Sequence, residues 1–516
     1  MLPWQGLLSL ALCMLLLCII GVTATDTNDS DNWSEPMLRE KAVWNYTLPS
    51  FAVRQSMQNC CGKRLLRVIK DLEAGKTINV AVVGGSYSLP DRISMDEVWF
   101  SIFVDKYLKK RYPTANVSGH NAAVGGSNAG FAYLCLDKML PPKVDLVFVD
   151  YGPNMMQKTT HDIVNPNQYY EQLLRALLAY PGDPAVIAVE QLLPSTVPYY
   201  RYPEVTSSPL YKYYDVPYIS VGSSLWRMQV LNTSGFADPD IRMKSTGNTW
   251  AYWHLNARGH KLVADMAVFL FQTAAAMDKA DLLPEQKDPL WATGVRAGPE
   301  HIHMLPTHPV KRPLLCIMPD ELPGYVTNHT GWEYGADDSH KRKFGYISFH
   351  NGSSDPKLPT PSGLPELRLE WDGKLVGKGA AAAAGGGSSS SNSSSSSSYA
   401  LILVYLASYS GMGAAEMSCA GACRCTAQNI SATIPEFSLT KVRPAAVTLS
   451  PGKATGSSVC QMRVINNSPG GDHAKFKVTG FILAEMHPGR EAEIGRVTFM
   501  NHGGGGTVKA TVVGRL

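Results

Sequence analysis

From about Thr77 to Met277, short β-branched runs alternate with segments of helical spacing. Ile78 to Val83, Val144 to Val149 and Ala185 to Val189 are apolar at nearly every position. They read as strands buried on both faces. Val117 to Val124 and Tyr218 to Val221 predict two shorter strands. Asp96 to Lys110, Asn167 to Leu178 and Asn256 to Met277 carry the helical pattern between and after them. Strands separated by helices predict an α/β domain with a parallel sheet covered on both sides. After Leu314 the pattern shortens to apolar segments broken by glycines and turns. Phe344 to Phe349, Leu367 to Trp371, Ala400 to Tyr405, Ala445 to Leu449, Cys460 to Ile465, Lys475 to Leu483 and Thr507 to Val513 predict a β-rich, sandwich-like domain.

The segments between and before these domains read differently. Residues 280–313 are rich in Pro, His and charge and read as a linker; the histidines His301, His303 and His308 are taken as solvated rather than metal-bound. Residues 377–398 are a poly-Ala, poly-Gly and poly-Ser tract, expected to be a disordered insertion because it cannot bury large apolar side chains. Leu7 to Val22 is nearly all apolar and ends in Val22-Thr23-Ala24. It is shorter than the about 20 residues of a membrane span and fits a signal peptide over 1–24. No Lys or Arg precedes it, so an uncleaved anchor is the alternative, and only then would the protein meet a membrane.

The 516 residues carry a formal charge of only +4, dispersed along the chain, which argues against a nucleic-acid partner. The basic run Lys341-Arg342-Lys343 follows Asp337 and Asp338 and reads as a solvated loop. Sequons stand at Asn28, Asn32, Asn45, Asn116, Asn232, Asn328, Asn351, Asn392, Asn429 and Asn466. Beyond the leader the cysteines are Cys60, Cys61, Cys135, Cys316, Cys419, Cys423, Cys425 and Cys460. In an exported chain these predict disulfides in preference to zinc, in a pairing that spacing does not fix.

Four blocks carry candidate chemistry. Val80-Ala-Val-Val-Gly-Gly-Ser86 runs a buried strand into two glycines and a serine. Ligands of open parallel sheets bind at this carboxyl edge. Asn121-Ala-Ala-Val-Gly-Gly126 can offer an unobstructed backbone N–H, and Val147-Phe-Val-Asp-Tyr-Gly-Pro-Asn154 a side-chain amide. Trp253-His254-Leu-Asn-Ala-Arg-Gly-His260 places a base ahead of the last helix; His260 itself reads as a packing residue. The tyrosines Tyr199, Tyr200, Tyr202, Tyr211, Tyr213 and Tyr214 fit either a sugar-stacking cleft or a packed loop.

In this order and strand context, the blocks resemble the SGNH (GDSL-type) hydrolases, most closely the SGNH-domain proteins of green algae and plants. The likeness covers about Thr77 to Met277 and extends to Leu401–Leu406 and Ser408-Tyr-Ser-Gly-Met-Gly413 of the second domain. It implies a three-layer, flavodoxin-like domain over 77–279, preceded by an extension over 25–76 and followed by the β-rich domain over 314–516. It also implies a serine esterase: Ser86 as nucleophile, His254 as base, and the Ser86 and Gly126 N–H groups with the Asn154 amide as oxyanion donors.

The chain departs from the family at three points. Gly-Asp-Ser is Gly-Gly-Ser, Gly-x-Asn-Asp is Gly152-Pro-Asn154-Met155, and the acid three residues before the histidine is Ala251. Asp238 or Asp240 is the expected substitute acid. The implied substrate is a small ester or an acylated, chiefly acetylated, extracellular polysaccharide, with no metal or cofactor. The alternatives are an O-acyltransferase and a degenerate enzyme that binds cell-wall or surface glycan.

Overall fold

The computed structural model describes residues 43–155, 167–192, 204–244, 252–279, 303–305, 309–336, 344–349, 364–376, 398–408, 410–434, 441–451, 458–468 and 474–490. The expected signal segment, residues 377–397 of the low-complexity tract at 377–398, Lys341–Lys343 and the expected strand at 507–513 lie outside them. The strands of the first domain are β1 (Met57–Gln58), β2 (Thr77–Gly84), β3 (Asn116–Asn121), β4 (Leu146–Asp150), β5 (Ala185–Glu190) and β6 (Tyr218–Ser220), with a separate hairpin of β7 (Arg242–Lys244) and β8 (Tyr252–Leu255). The helices that matter most are α1 (Ser50–Ser56), α2 (Lys63–Glu73), α3 (Ala129–Met139), α4 (Asn167–Leu178), α5 (Glu204–Tyr213), α6 (Val221–Val230) and α7 (Ala257–Lys279).

Among the described residues the first six strands form one sheet in the order β1-β6-β5-β4-β2-β3. All its pairs are parallel except β1 with β6. β4 and β5 are buried at every position, as continuous apolar strands covered on both faces require. The chain steps from β2 outward to β3, then back across β2 to β4. That reversal opens a crevice at the carboxyl ends of β2 and β4. The α/β layer begins before Thr77: α2 buries Leu65, Leu66, Val68, Ile69 and Leu72, and β1 extends the sheet. Expected strand and helix positions recur within a few residues, and α4 falls at its predicted bounds.

The second domain contains β9 (Val310–Ile317), β10 (Val326–Thr330), β11 (Trp332–Ala336), β12 (Phe344–Phe349), β13 (Glu366–Asp372), β14 (Tyr399–Ala407), β15 (Ala414–Gly421), β16 (Cys423–Arg424), β17 (Gln428–Ser431), β18 (Lys441–Pro451), β19 (Val459–Asn466) and β20 (Lys475–Met486). One sheet runs β10-β13-β19-β15-β17 and the other β11-β12-β20-β14-β18-β16, with β9 on β20. β13 and β19 alternate buried and half-buried residues, as sheets with one wet face do. β14 and β20 are buried almost throughout because both their faces are covered.

The reason lies in α3. This helix is buried along nearly its whole length, with Asp137 and Lys138 as its exceptions. A helix apolar on all sides needs a partner on each side. Its residues Phe131, Leu134 and Cys135 share one core with β4 and β5, and with Val310, Ile402, Val404, Ile482 and Ala484 of the second domain. The Cys135–Cys316 disulfide crosses the same boundary. Tyr133 Oη donates to Lys311 O at 2.8 Å, and Lys138 Nζ reaches Glu321 Oε1 at 2.6 Å. Among the described residues the other cysteines pair as Cys60–Cys61, Cys419–Cys425 and Cys423–Cys460. No group of His, Cys, Asp and Glu suited to a metal ion occurs among the described residues.

Candidate active site

β2 ends at Gly84, and the chain turns at once into a 3-10 turn, Ser86–Ser88. Ser86 therefore stands at the carboxyl edge of the sheet's first parallel strand. His254 comes from β8, whose partner β7 sets its register through Arg242↔Leu255 and Lys244↔Tyr252. The two meet: His254 Nε2 lies 2.9 Å from Ser86 Oγ. On the other side of the ring, His254 Nδ1 lies 2.8 Å from Asp91 Oδ2. With Nδ1–H donated to Asp91, Nε2 is the acceptor that a serine hydroxyl needs. The side chains of His254 and Asp91 are 34% and 35% exposed, so the pair is open to a substrate arriving from solvent.

The carboxylate at the imidazole is thus Asp91, and the expected Asp238 and Asp240 are elsewhere. Asp238 Oδ1 takes hydrogen bonds from Arg242 Nε at 3.1 Å and from Gln229 Nε2. Arg242 is fully buried and has no water to solvate it, so it claims that charge. Asp240 Oδ2 accepts from Gly235 N at 2.7 Å, and its backbone oxygen accepts from Asn256 Nδ2 at 2.9 Å. Asp238 still bears on the site at one remove. Arg242 Nη1 lies 3.4 Å from Tyr87 Oη, and the Tyr87 ring meets His254 edge-on at 5.9 Å. Burial pushes the Tyr87 phenol up, so it stays neutral beside the imidazole.

Asn154 sits in the turn Gly152–Met155 after β4 and donates from Nδ2 to Ser127 O at 2.7 Å. Its amide lies against Gly85: a Cβ there would stand 2.7 Å from Asn154 Oδ1 and 2.9 Å from Nδ2. A side chain at position 85 would therefore displace the Asn154 amide. Gly126 takes a φ of +78°, a conformation that favours glycine. Its loop is fixed at Val124 N, which donates to Gly84 O at 2.9 Å, and at Asn128, whose side chain caps α3. The structure thus brings Ser86, His254 and Asn154 together around the β2 turn, with the Gly126 loop hydrogen-bonded to the end of β2. A Cβ on Gly126 would lie 3.9 Å from Val442 N, so β18 of the second domain borders this loop.

His260 is buried, and its Nδ1 accepts from Trp99 N at 3.3 Å. Burial, with the nearby His254 charge, holds it down to about 3, so it stays neutral and packs. Tyr211 and Tyr214 are buried among helices, whereas Tyr199, Tyr200 and Tyr202 lie outside the described residues, as does Ala251. Sequence reasoning missed Asp91 because it searched near the histidine. The available signal was a carboxylate in Leu89-Pro90-Asp91-Arg92, the loop leaving the nucleophile.

No family profile and no curated protein matches the chain. Solved structures do. A two-domain esterase active on acetylated mannans is 17% identical with a TM-score of 0.56, covering 84% of this chain and 99% of that one. The same kind of esterase co-crystallised with mannopentaose gives 16% identity and a TM-score of 0.54, with 84% and 98% covered. A psychrotrophic esterase from Pseudoalteromonas sp. aligns over 38% of this chain and 98% of its own, at 15% identity and a TM-score of 0.28. At these identities the likeness speaks to architecture alone: the chain has an α/β domain with a parallel sheet followed by a β-rich domain, and it shares this two-domain fold with the esterase active on acetylated mannans.

Proposed function

We propose that the protein is a serine esterase of the SGNH type that removes acyl, chiefly acetyl, groups from extracellular glycans. The observation that carries this reading is the continuous relay Ser86 Oγ–His254 Nε2 and His254 Nδ1–Asp91 Oδ2 at the sheet's carboxyl edge. Ser86 Oγ attacks the ester carbonyl carbon while its proton moves to His254 Nε2, and the carbonyl electron pair moves onto oxygen. The Ser86 and Gly126 N–H groups and the Asn154 amide are the donors for that oxyanion. Collapse breaks the bond between the carbonyl carbon and the sugar oxygen, which takes the proton from His254 Nε2 and leaves as a hydroxyl. Water then attacks the acyl-enzyme carbonyl and gives one proton to the same nitrogen; collapse breaks the bond to Ser86 Oγ, which takes that proton back, and the acid leaves. Asp91 holds the ring's tautomer and balances the imidazolium.

Acetylated polysaccharide as substrate is supported by the two-domain fold shared with the esterase active on acetylated mannans. The kinship to green-algal and plant proteins rests on the Gly-Gly-Ser and His-x5-His blocks. Export rests on the N-terminal apolar run. Asn116, Asn232 and Asn429 are exposed and can carry glycans, whereas Asn466 is buried with its amide bonded to Ala474 O. Among the described residues no helix is long and apolar enough to cross a membrane. Transfer to a sugar would use the same residues and differs only in the acceptor. The glycan-binding alternative rested on a missing acid and on the β-rich second domain, and the Asp91 carboxylate 2.8 Å from His254 Nδ1 favours the esterase over it.

The test is fluorophosphonate labelling with acetate release from acetylated mannan. The wild type should label and release acetate, and Ser86→Ala and His254→Ala should do neither. A folded wild type that never labels overturns the reading.

A further inference from the structure

The turn bearing Ser86 has little to hold it from within. Ser88 N donates to Gly85 O at 3.3 Å and Leu89 N to Ser86 O at 3.2 Å. The stronger anchors come from outside, and they converge on Ser88 and Asp150. Gly85 N donates to the Asp150 backbone oxygen at 3.1 Å. Ser88 Oγ donates to Asp150 Oδ2 at 2.6 Å and accepts from Trp99 Nε1 at 3.2 Å. Asn121 Nδ2 donates to Ser88 O at 2.8 Å, and Gln191 Nε2 to Asp150 Oδ2 at 3.1 Å. Ser88 and Asp150 are both fully buried.

We propose that Asp150 is a positioning residue for the nucleophile: from the end of β4 it clamps the Ser86 turn through Ser88 and so aims Ser86 Oγ at His254. This rests on the serine-esterase reading above. Asp150 does not touch the imidazole and acts only through the turn. Its place follows from the packing: the end of β4 lies beside the Ser86 turn, with Gly85 N on the Asp150 backbone oxygen, so the Asp150 carboxylate can meet the Ser88 hydroxyl. A buried carboxylate is costly unless donors meet it, and a hydroxyl bonded to a charged acceptor is held about twice as firmly as one bonded to a neutral acceptor.

Burial raises Asp150 to about 6, with the Ser88, Gln191 and Trp99 donors pulling it back. The titratable groups coupled to it are Tyr87, Tyr151, Tyr170 and Glu190. The tyrosines are raised by burial and Glu190 is raised to about 8, so all four are neutral at mildly acid pH. In this cluster Asp150 alone changes charge there, and the clamp weakens as it takes up a proton.

The test uses the full chain with Asp150→Asn, Ser88→Ala and the double variant. Fluorophosphonate labelling should slow about tenfold in each single variant, and the double should be no slower than the worse single, as expected of one coupled unit. The ratio of wild-type to Asp150→Asn labelling rates cancels every titration the two share. It should be large above pH 7 and fall several-fold toward pH 5. Hydrogen exchange should show faster opening of residues 85–89 in both singles. Labelling within about twofold of wild type, or a ratio independent of pH, overturns the clamp. If the wild type never labels, the esterase reading falls, and unchanged exchange at 85–89 overturns the clamp independently. If Asp150→Asn does not fold, Ser88→Ala decides by the same exchange and labelling readouts.

Discussion

Asp91→Asn keeps the side chain's size and removes the charge that lies 2.8 Å from His254 Nδ1. The loss is felt when Ser86 gives up its proton, because His254 then becomes a cation. Two unit charges ~4 Å apart attract by about 1 kcal/mol in bulk water and about 4 kcal/mol at the effective dielectric near a protein surface. Asp91 and His254 are each about a third exposed, which places the pair between these limits. The expected cost is about 2–3 kcal/mol, or about 10²-fold in kcat. A fully buried acid in a serine protease is worth about 10⁴-fold, and the smaller figure reflects solvent screening here. The assay is initial rates on an aryl acetate, with fluorophosphonate labelling as a substrate-independent check. Asp240→Asn should stay near wild type. Asp238→Asn should lower stability by leaving buried Arg242 without its charge partner. Asp91→Asn within about threefold of wild type would refute the assignment of Asp91 as the orienting acid.

Gly85→Ala forces Asn154 to move, so kcat should fall about 10²-fold with little change in Tm; an unchanged kcat would remove Asn154 from the oxyanion donors. Cys135 and Cys316 are separated by 181 residues, and the chain-entropy account puts the ceiling for their disulfide near 5 kcal/mol. Replacing both by serine should cost about 2–4 kcal/mol by denaturant unfolding, and no change would mean the disulfide adds nothing to the shared core and the polar contacts across the boundary. Burial raises Glu190 from 4.5 to about 8, against the pull of the Ser207 and Tyr211 hydroxyls. The folded state then holds this proton more tightly than the unfolded chain, so the associated stability is full below about pH 4.5 and is lost as pH rises through about 8. Glu190→Gln should flatten the fall in Tm between acid and alkaline pH and be the more stable protein at the alkaline end; parallel curves in calorimetry would contradict the shift.

Much of the fold was legible because its signals are local. The continuous apolar runs at Val80–Val83, Leu146–Val149 and Ala185–Val189 announce strands covered on both faces, and Asn167–Leu178 announces an amphipathic helix. β9 was less so. Its first residues look like linker, and its apolar residues are recognisable as strand only once β20 lies beside them. α3 carries no amphipathic stripe, because one side packs on the first sheet and the other on the second domain.

The sequence by itself determined the pattern of strands and helices and the division into an α/β and a β-rich part, and it pointed to Ser86 and His254, since short motifs at strand ends carry their own context. Only the tertiary structure decided which carboxylate faces the imidazole. Asp238 and Asp240 are nearer His254 in sequence, but buried Arg242 takes one and the Gly235 turn takes the other. Asp91 is far from His254 along the chain and comes to it because the turn after β2 delivers both Ser86 and the loop behind it to the same sheet edge. Charge pairing depends on distance through space, and spacing along the chain does not encode it.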